Sequence, residues 1–475
     1  MMKVVFIHYH LKPGGVTTVL KHQIEAVQTF GEALVITGEA PPEPLSAPFR
    51  IIPSLSYDTV RVDADSPKQI AAAVSSAIHE TWADGCDLIH IHNPTLNKNK
   101  DLLHVIELLQ KENASLFLQI HDFAEEGRPH VYYQQAYPHH CHYGVINTRD
   151  YGFLIDSGLQ EKGLHYIPNA VSTEPAEVGD SSLEDCILYP VRAIRRKNLG
   201  EVLFLSTLLP AELPLRVTLP PNSPADFTPY RYWQKQVRHY GLNVEFESGI
   251  KHEFQQLYRS ARFILTTSIM EGFGFSFLEP WLSGKMVWGR LLPAICAGFI
   301  KEGIDLSHLY LHIMVPTEWA GRSDLCLSIR QTMESSYAAY GLCVPSSKIE
   351  KALTHIEQQD CIDFGTLSEF FQTRILDRMN NNPQAIDRLV KLNPFLADIG
   401  VKPVKQQIIS QNAAIIGSRV SKGRYTQRLN HLYQKMVQTK VRHRIDKHRL
   451  LLLFLETDLH NLLKWGQFDG QGADQ

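Results

Sequence analysis

The chain carries almost no net charge. Its 475 residues hold Lys+Arg 47 against Asp+Glu 50, a balance of -3, so no global field marks a nucleic-acid binder. Cysteine is scarce. The seven, at positions 86, 141, 186, 296, 326, 343 and 361, are odd in number and never spaced CxxC. That argues against a disulfide framework and a structural zinc site and points to a reducing compartment. Long apolar runs are missing too: the longest, Leu450 to Leu455, is six residues, against the roughly 20 that a membrane span needs. The start, MMKVVFIHYHLKPGG, lacks the apolar length and small-residue cleavage site of a signal peptide. There is no repeat of fixed period and no low-complexity tract. A soluble, cytoplasmic protein is therefore expected. What is present is globular: 44% hydrophobic and 20% charged residues exclude a largely disordered chain. The length suits two or three domains.

Apolar runs alternate with helical patterns over the first 171 residues. Val4–Tyr9 is a β-branched and aromatic run with no polar alternation, as a strand buried on both faces requires. After the Pro13-Gly14-Gly15 turn comes a helical stretch from Thr17 to about Phe30. Further strands are expected at Ala33–Thr37, Asp87–His92, Leu116–His121 and Tyr143–Asn147, with helices at Pro67–Trp82 and Lys100–Glu112. Strand-then-helix alternation means a parallel sheet with right-handed crossovers. Residues 172–184 are polar and acidic and read as a linker.

The alternation then restarts. Strands are expected at Cys186–Arg192, Leu215–Leu219, Val244–Glu247, Phe263–Thr267 and Met286–Gly289, with helices at Leu199–Leu209, Tyr230–Tyr240, His252–Ser260 and Phe275–Ser283. The expected fold class is thus α/β: two doubly wound Rossmann-like domains, 1–171 and 185–418, facing a deep cleft, plus a mostly helical C-terminal segment. Ligands in such sheets bind at the carboxyl ends of the strands. Residues 291–410 show helical patterns without a clear strand series and read as a segment governing acceptor choice or subunit contacts. Arg419 to Arg449 holds ten Lys/Arg and one acid, with Tyr425, Leu429, Leu432 and Met436 on one stripe. The basic helices of 419–475 are read as returning to the N-terminal domain. Packing of Leu450–Leu455 there is preferred over docking on anionic lipid.

Three places can carry chemistry. Gly14-Gly15 after a strand can present backbone N–H groups and a helix N-terminus to an anion, although a Gly pair is as often a simple tight turn. Arg192 ends a strand, and Arg195, Arg196, Lys197 and Asn198 follow before a helix, a good phosphate site because formal charges add to the helix dipole. The strongest signal is Glu271-Gly-Phe273-Gly274-Phe275-Ser-Phe-Leu-Glu279, between an apolar strand and a helix. A carboxylate can accept two hydroxyls of a vicinal diol, and the glycines let backbone approach a ligand closely.

The pattern resembles glycosyltransferase family 4, nucleotide-sugar enzymes of the GT-B fold whose hallmark is a Glu-x7-Glu motif, matched by Glu271 and Glu279. The resemblance covers roughly residues 3–290. It implies that Glu279 holds the donor ribose, that Glu271 lies against the transferred sugar, and that Phe273, Gly274 and Phe275 line the donor. Arg192 and Lys197, with the family's spacing, would bind the diphosphate. Gly14-Gly15 matches its N-terminal loop, His121 its active-site histidine, and Asn169 its Pro-Asn turn between domains. The implied activity is retaining transfer of a hexose from a UDP- or GDP-sugar to an acceptor hydroxyl. Arg192, Lys197 and helix N-termini would neutralise the leaving diphosphate, so no metal and no cofactor are expected. The expected partners are the nucleotide sugar and a hydroxyl acceptor, no nucleic acid, and either a monomer or a homo-oligomer.

Three alternatives stand beside this reading. A nucleotide-sugar epimerase would consume donor without an acceptor, and a phosphorylase of this fold would need a pyridoxal-phosphate lysine for which the sequence offers no candidate. An inactive binding or chaperone subunit would tolerate loss of residues that are all present here. After Gly289 the chain departs from the family pattern, with Arg290 and Pro293 in unusual places.

Overall fold

The computed structural model describes residues 1–62, 65–112, 115–171, 183–399, 406–456 and 459–470. It divides into two compact units, Met1–Ser172 with Ser418–Thr457, and Thr173–Gly417 with Asp458–Gln475. The reading of 172–184 as a linker falls almost wholly on residues outside those described.

The first unit is built on a seven-stranded parallel sheet in the order β3-β2-β1-β4-β5-β6-β7. Its strands are β1 (Met2–His8), β2 (Gly31–Thr37), β3 (Phe49–Ile51), β4 (Leu88–His92), β5 (Ser115–Ile120), β6 (His142–Val145) and β7 (Leu164–Tyr166). Every residue of β4 is buried, because helices cover both faces of a sheet with such crossovers. Side chains alternate across the sheet. Val5 and Ile7 pack with Ile70, Val74 and Ile78 of the helix Pro67–Thr81 and with Leu450 and Phe454. Val4 and Phe6 face Leu20 and Ile24 of the helix Gly15–Val27 and Tyr425, Leu429, Tyr433 and Met436. The helix Lys422–Gln438 therefore belongs to this unit, and Tyr433, not Leu432, completes its buried stripe. In the apolar run, Leu450, Leu451, Phe454 and Leu455 are buried. No described helix is long and apolar enough to cross a membrane.

The second unit carries a five-stranded parallel sheet, order β10-β9-β8-β11-β12, with β8 (Cys186–Arg192), β9 (Leu215–Leu219), β10 (Val244–Glu245), β11 (Ala261–Thr266) and β12 (Val287–Gly289). The expected Rossmann-like organisation is thus present in both units. Several boundaries shift: the helix expected at Tyr230–Tyr240 starts at Pro224, and the strand expected at Val244–Glu247 ends at Glu245. Where one helix is expected at His252–Ser260 there are two, Ser248–Lys251 and Phe254–Ser260. Two further things differ from expectation. Residues 291–399 contain an antiparallel pair, β13 (Met314–Pro316) with β14 (Cys361–Asp363), which three-residue strands leave invisible to periodicity. The expected helix Phe275–Ser283 is split into a 3-10 turn, Phe275–Phe277, and a short helix, Glu279–Leu282, because Leu278 lies outside helical geometry at φ -120°.

Candidate functional site

In the second unit β8 and β11 are neighbours, with Ile264 beside Leu188. Their carboxyl ends therefore deliver the segments 192–198 and 267–279 to the same place. The carboxylate of Glu271 accepts from the Lys197 ammonium, and both side chains are largely buried. Burial works to raise the Glu271 pKa, but Lys197 and Arg196 beside it, with hydrogen bonds from Lys197 and Ser268, hold it below the usual carboxylate range. Glu271 is therefore an ion at neutral pH. The Lys197 backbone is fixed as well: its carbonyl accepts from Tyr189 Oη and Thr267 Oγ1, both at 2.8 Å.

Asn198 follows in the left-handed region at φ 53° and caps the helix Leu199–Ser206, with its side chain accepting from Glu201 N. Asparagine tolerates that conformation. The helix thus begins two residues beyond Lys197, and its dipole adds to the lysine's charge.

The Glu271–Glu279 loop turns at Gly274, φ 93°. A Cβ there would lie 2.9 Å from Phe277 Cδ2 and 3.1 Å from Ile295 Cγ2, so only glycine fits. Phe273 packs edge-on against Phe275 and Phe299, with ring centroids 4.8 and 5.3 Å apart. Glu279 opens its short helix with solvent reaching the side chain, while the protein around it pushes its pKa up by desolvation.

Arg192 is not part of this group of contacts. It is exposed, and its guanidinium donates to Pro220 O at 3.1 Å. Arg195, counted in the basic cluster, is committed elsewhere: it grips both oxygens of the buried Glu369 at 2.7 and 2.8 Å.

Sequence reasoning missed the ionic network behind the site. Arg290 donates to Glu201 (2.9 Å to Oε1, 2.5 Å to Oε2) and to Asp363 (2.6 and 2.9 Å). Tyr310 Oη donates to Glu201 at 2.6 Å, Asn198 Nδ2 to Glu201 at 2.9 Å, and Gln372 Nε2 to Asn198 at 2.9 Å. His312 Nδ1 stands 3.1 Å from Asp363. One arginine between two carboxylates leaves an excess negative charge, which raises the pKa of His312 through its bond to Asp363. Residues 291–399 are therefore no detachable insertion, because Tyr310, Asp363 and Gln372 hold the base of the Lys197 turn. The available signal was an arginine directly after an apolar strand, where a solvated residue would be expected.

In the first unit Gly14 caps the helix Gly15–Val27 without any side-chain cap. A Cβ at Gly15 would meet nothing within 4 Å, so packing alone does not demand glycine there and open space lies before the helix N-terminus. His121 follows β5, buried, with Nε2 2.9 Å from His92 Nδ1. It joins His8, His90 and His92 in a buried histidine cluster at the ends of β1, β4 and β5. Burial pushes His121 down to about 4 and His8 to about 3. These rings are neutral at pH 7 and act as hydrogen-bonding groups. Asn169 is buried.

All seven cysteines are free. Among the described residues no three His, Cys, Asp or Glu side chains converge as metal donors.

No protein-family model matches the chain. Over 341 residues it is 26% identical to the mannosylglucosyl-3-phosphoglycerate synthase of Petrotoga mobilis, a match covering 62% of this chain and 66% of that protein. The chain thus spans just under two thirds of that relative's length. Among solved structures, Anabaena HepE in complex with UDP and glucose superposes with a TM-score of 0.54 at 14% identity, covering 91% of this chain and 100% of that one. A glycosyltransferase from Rickettsia africae gives 0.54 at 11% identity, covering 92% and 99%. The architecture of the chain is accordingly the pair of Rossmann-like domains found in GT-B glycosyltransferases.

Proposed function

We propose that the chain is a retaining glycosyltransferase of the family 4 type, moving a hexose from a UDP- or GDP-sugar to an acceptor hydroxyl without a metal or cofactor. The observation that carries this is the Lys197–Glu271 pair at the carboxyl ends of adjacent strands, between a helix N-terminus and a left-handed glycine loop. The relative's printed name, a synthase of a glycosylated 3-phosphoglycerate, and the UDP-glucose named with HepE support it.

In this reading Lys197, Arg192 and the start of the helix Leu199–Ser206 take up the charge of the leaving diphosphate. Arg192 is exposed, so it would swing from Pro220 to the phosphate. Glu279 accepts the ribose hydroxyls, and Glu271 with the Phe273-Gly274-Phe275 backbone positions the sugar. Gly14-Gly15 offers N–H groups to an anion. His121, neutral, orients a hydroxyl. The bond from the anomeric carbon to the diphosphate oxygen breaks as the bond to the acceptor oxygen forms on the same face. The acceptor proton passes to the departing diphosphate, so no side-chain nucleophile is needed.

A thermal-shift panel of UDP, GDP, ADP and UDP-glucose on the full chain tests the reading. A ligand at 100 times its Kd stabilises by about 2.7 kcal/mol. We expect one diphosphate and its sugar to shift the melt. No shift by any of them at millimolar concentration would overturn the proposal. Consumption of the donor sugar with no acceptor present, yielding an epimer, would favour the epimerase instead.

A further inference from the structure

In the second unit the helix Arg322–Ala338 carries a polar face that the reaction scheme above does not use. Ser328, Gln331, Thr332 and Ser335 stand at i, i+3, i+4 and i+7, the spacing that puts side chains on one face. That face forms one wall of a cavity of about 410 Å³, within the roughly 300–1,000 Å³ of small-molecule sites. The opposite wall is the segment 462–469, which opens with the short helix Leu462–Trp465. It is firmly held. The Arg195 guanidinium donates to the carbonyl of Gly466 and, at 3.2 Å, to that of Gln467. Asp469 accepts from Ser368 Oγ at 2.5 Å and from the Phe370 N–H at 3.0 Å. Both walls are therefore fixed by the protein's own bonds, as a preorganised site requires.

Thr332 is 7% exposed, yet among the described residues its hydroxyl has no hydrogen-bond partner. It faces Gly466 on the other wall, where a Cβ would lie 3.4 Å from Thr332 Oγ1. A polar group enclosed to that degree is normally paired, and the partner this one faces is whatever fills the cavity. The side chains of Ser328 and Gln331 likewise make no hydrogen bond among the described residues. The lining sets the chemistry of the ligand. Among the described residues that line it there is no Lys, Arg or His, so an anion would meet no counter-charge. Hydroxyls and a carboxamide both donate and accept, which matches a ligand whose own hydroxyls do both. Each oxygen of Asp469 has taken one neutral donor and keeps room for a second. Leu462 and Phe468 add apolar surface for the C–H side of a ring.

We propose that the cavity between the helix Arg322–Ala338 and the segment 462–469 binds a neutral mono- or disaccharide. Its lining contains none of the residues assigned above to the transfer reaction, so the inference stands or falls apart from the transferase reading.

Saturation-transfer NMR on the full chain tests this, with D-glucose, D-mannose and maltose as probes and D-glucuronate and spermidine as charged controls. We expect at least one neutral sugar to bind and neither control to do so. Ser335 is exposed on its helix, so Ser335→Trp should fold, fill the cavity and abolish the signal of that sugar. The double variant Gln331→Leu, Thr332→Val keeps the shape of the wall and removes its polar groups. It should weaken the sugar about tenfold or more, the loss of two hydrogen bonds. If Ser335→Trp does not fold, the double variant decides alone. Binding of none of the three sugars, or of a charged control in their place, would overturn the proposal. So would a sugar that keeps its affinity in these variants and loses it in Glu271→Gln, since it would then sit at the transfer site.

Discussion

The Arg290 guanidinium meets the Asp363 carboxylate side-on, with Nη1–Oδ2 at 2.6 Å and Nη2–Oδ1 at 2.9 Å. Both side chains are buried, and the same arginine holds Glu201 on the helix that starts beside Lys197. Removing the arginine leaves two carboxylates without their cation. Breaking a buried pair in this way costs about 3–5 kcal/mol, so Arg290→Met should lower the denaturation midpoint of the second unit steeply. Arg290→Lys cannot reach both acids side-on and should recover only part of that loss. A midpoint unchanged in Arg290→Met would show that the network carries no net stability.

The Lys197–Glu271 pair is buried enough that the two residues do not act independently. Lys197→Ala should destabilise the fold by a few kcal/mol, because Glu271 is left charged and enclosed. Adding Glu271→Gln should return much of the stability while turnover stays low. That separation, read from urea melts against the sugar-transfer rate, distinguishes a donor-binding lysine from a purely structural one. Recovery of full turnover in the double variant would remove Lys197 from the donor site.

Glu279 behaves oppositely. Its side chain reaches solvent, so Glu279→Ala should leave the melting temperature nearly unchanged. It should weaken the nucleotide that binds by the loss of charge-assisted hydrogen bonds worth roughly 1.5–3 kcal/mol each at most. Unchanged affinity in calorimetry would take the ribose role from Glu279.

Gly274→Ala places a Cβ 2.9 Å from Phe277 at φ 93°. Strain of that kind costs about 1–3 kcal/mol, and its relief displaces the Phe273–Phe275 backbone. Turnover should fall more than stability. A folded variant with wild-type kinetics would show that the loop backbone is not used.

The buried histidines set the acid limit of the first unit. Their folded pKa values are depressed, His121 to about 4 and His8 to about 3, against about 6.5 unfolded. The stability each contributes is fully present above pH 6.5 and is lost as pH falls toward the folded value, by about 1.4 kcal/mol per pH unit per histidine. Thermal midpoints should therefore drop steeply between pH 6.5 and 4. His8→Asn should flatten that profile, and an unaltered slope would remove His8 from the acid response.

Much of this architecture is written locally. Cys186–Arg192 is a strand at the residues its apolar run marks, because an enclosed parallel strand favours an apolar stretch whatever its neighbours are. The Glu271-to-Glu279 loop and the Arg192-to-Lys197 turn are legible for a similar reason: glycine and clustered charge have few local explanations. Other features existed only once the chain had folded. Phe49–Ile51 and Leu164–Tyr166 are strands of three residues, stabilised by the sheet edges they join and not by their own pattern. Lys197 and Glu271 are 74 positions apart, and only the pairing of β8 with β11 brings them together. Arg290 is the clearest case. Its partners are 89 residues before it and 73 after it, and in sequence a buried charge looks like a solvated one. Local sequence decides which segments are strands and helices because those preferences act between near neighbours. Which charges are withdrawn from water, and which partner meets them there, depends on distant segments arriving at one point, and tertiary structure alone decides that.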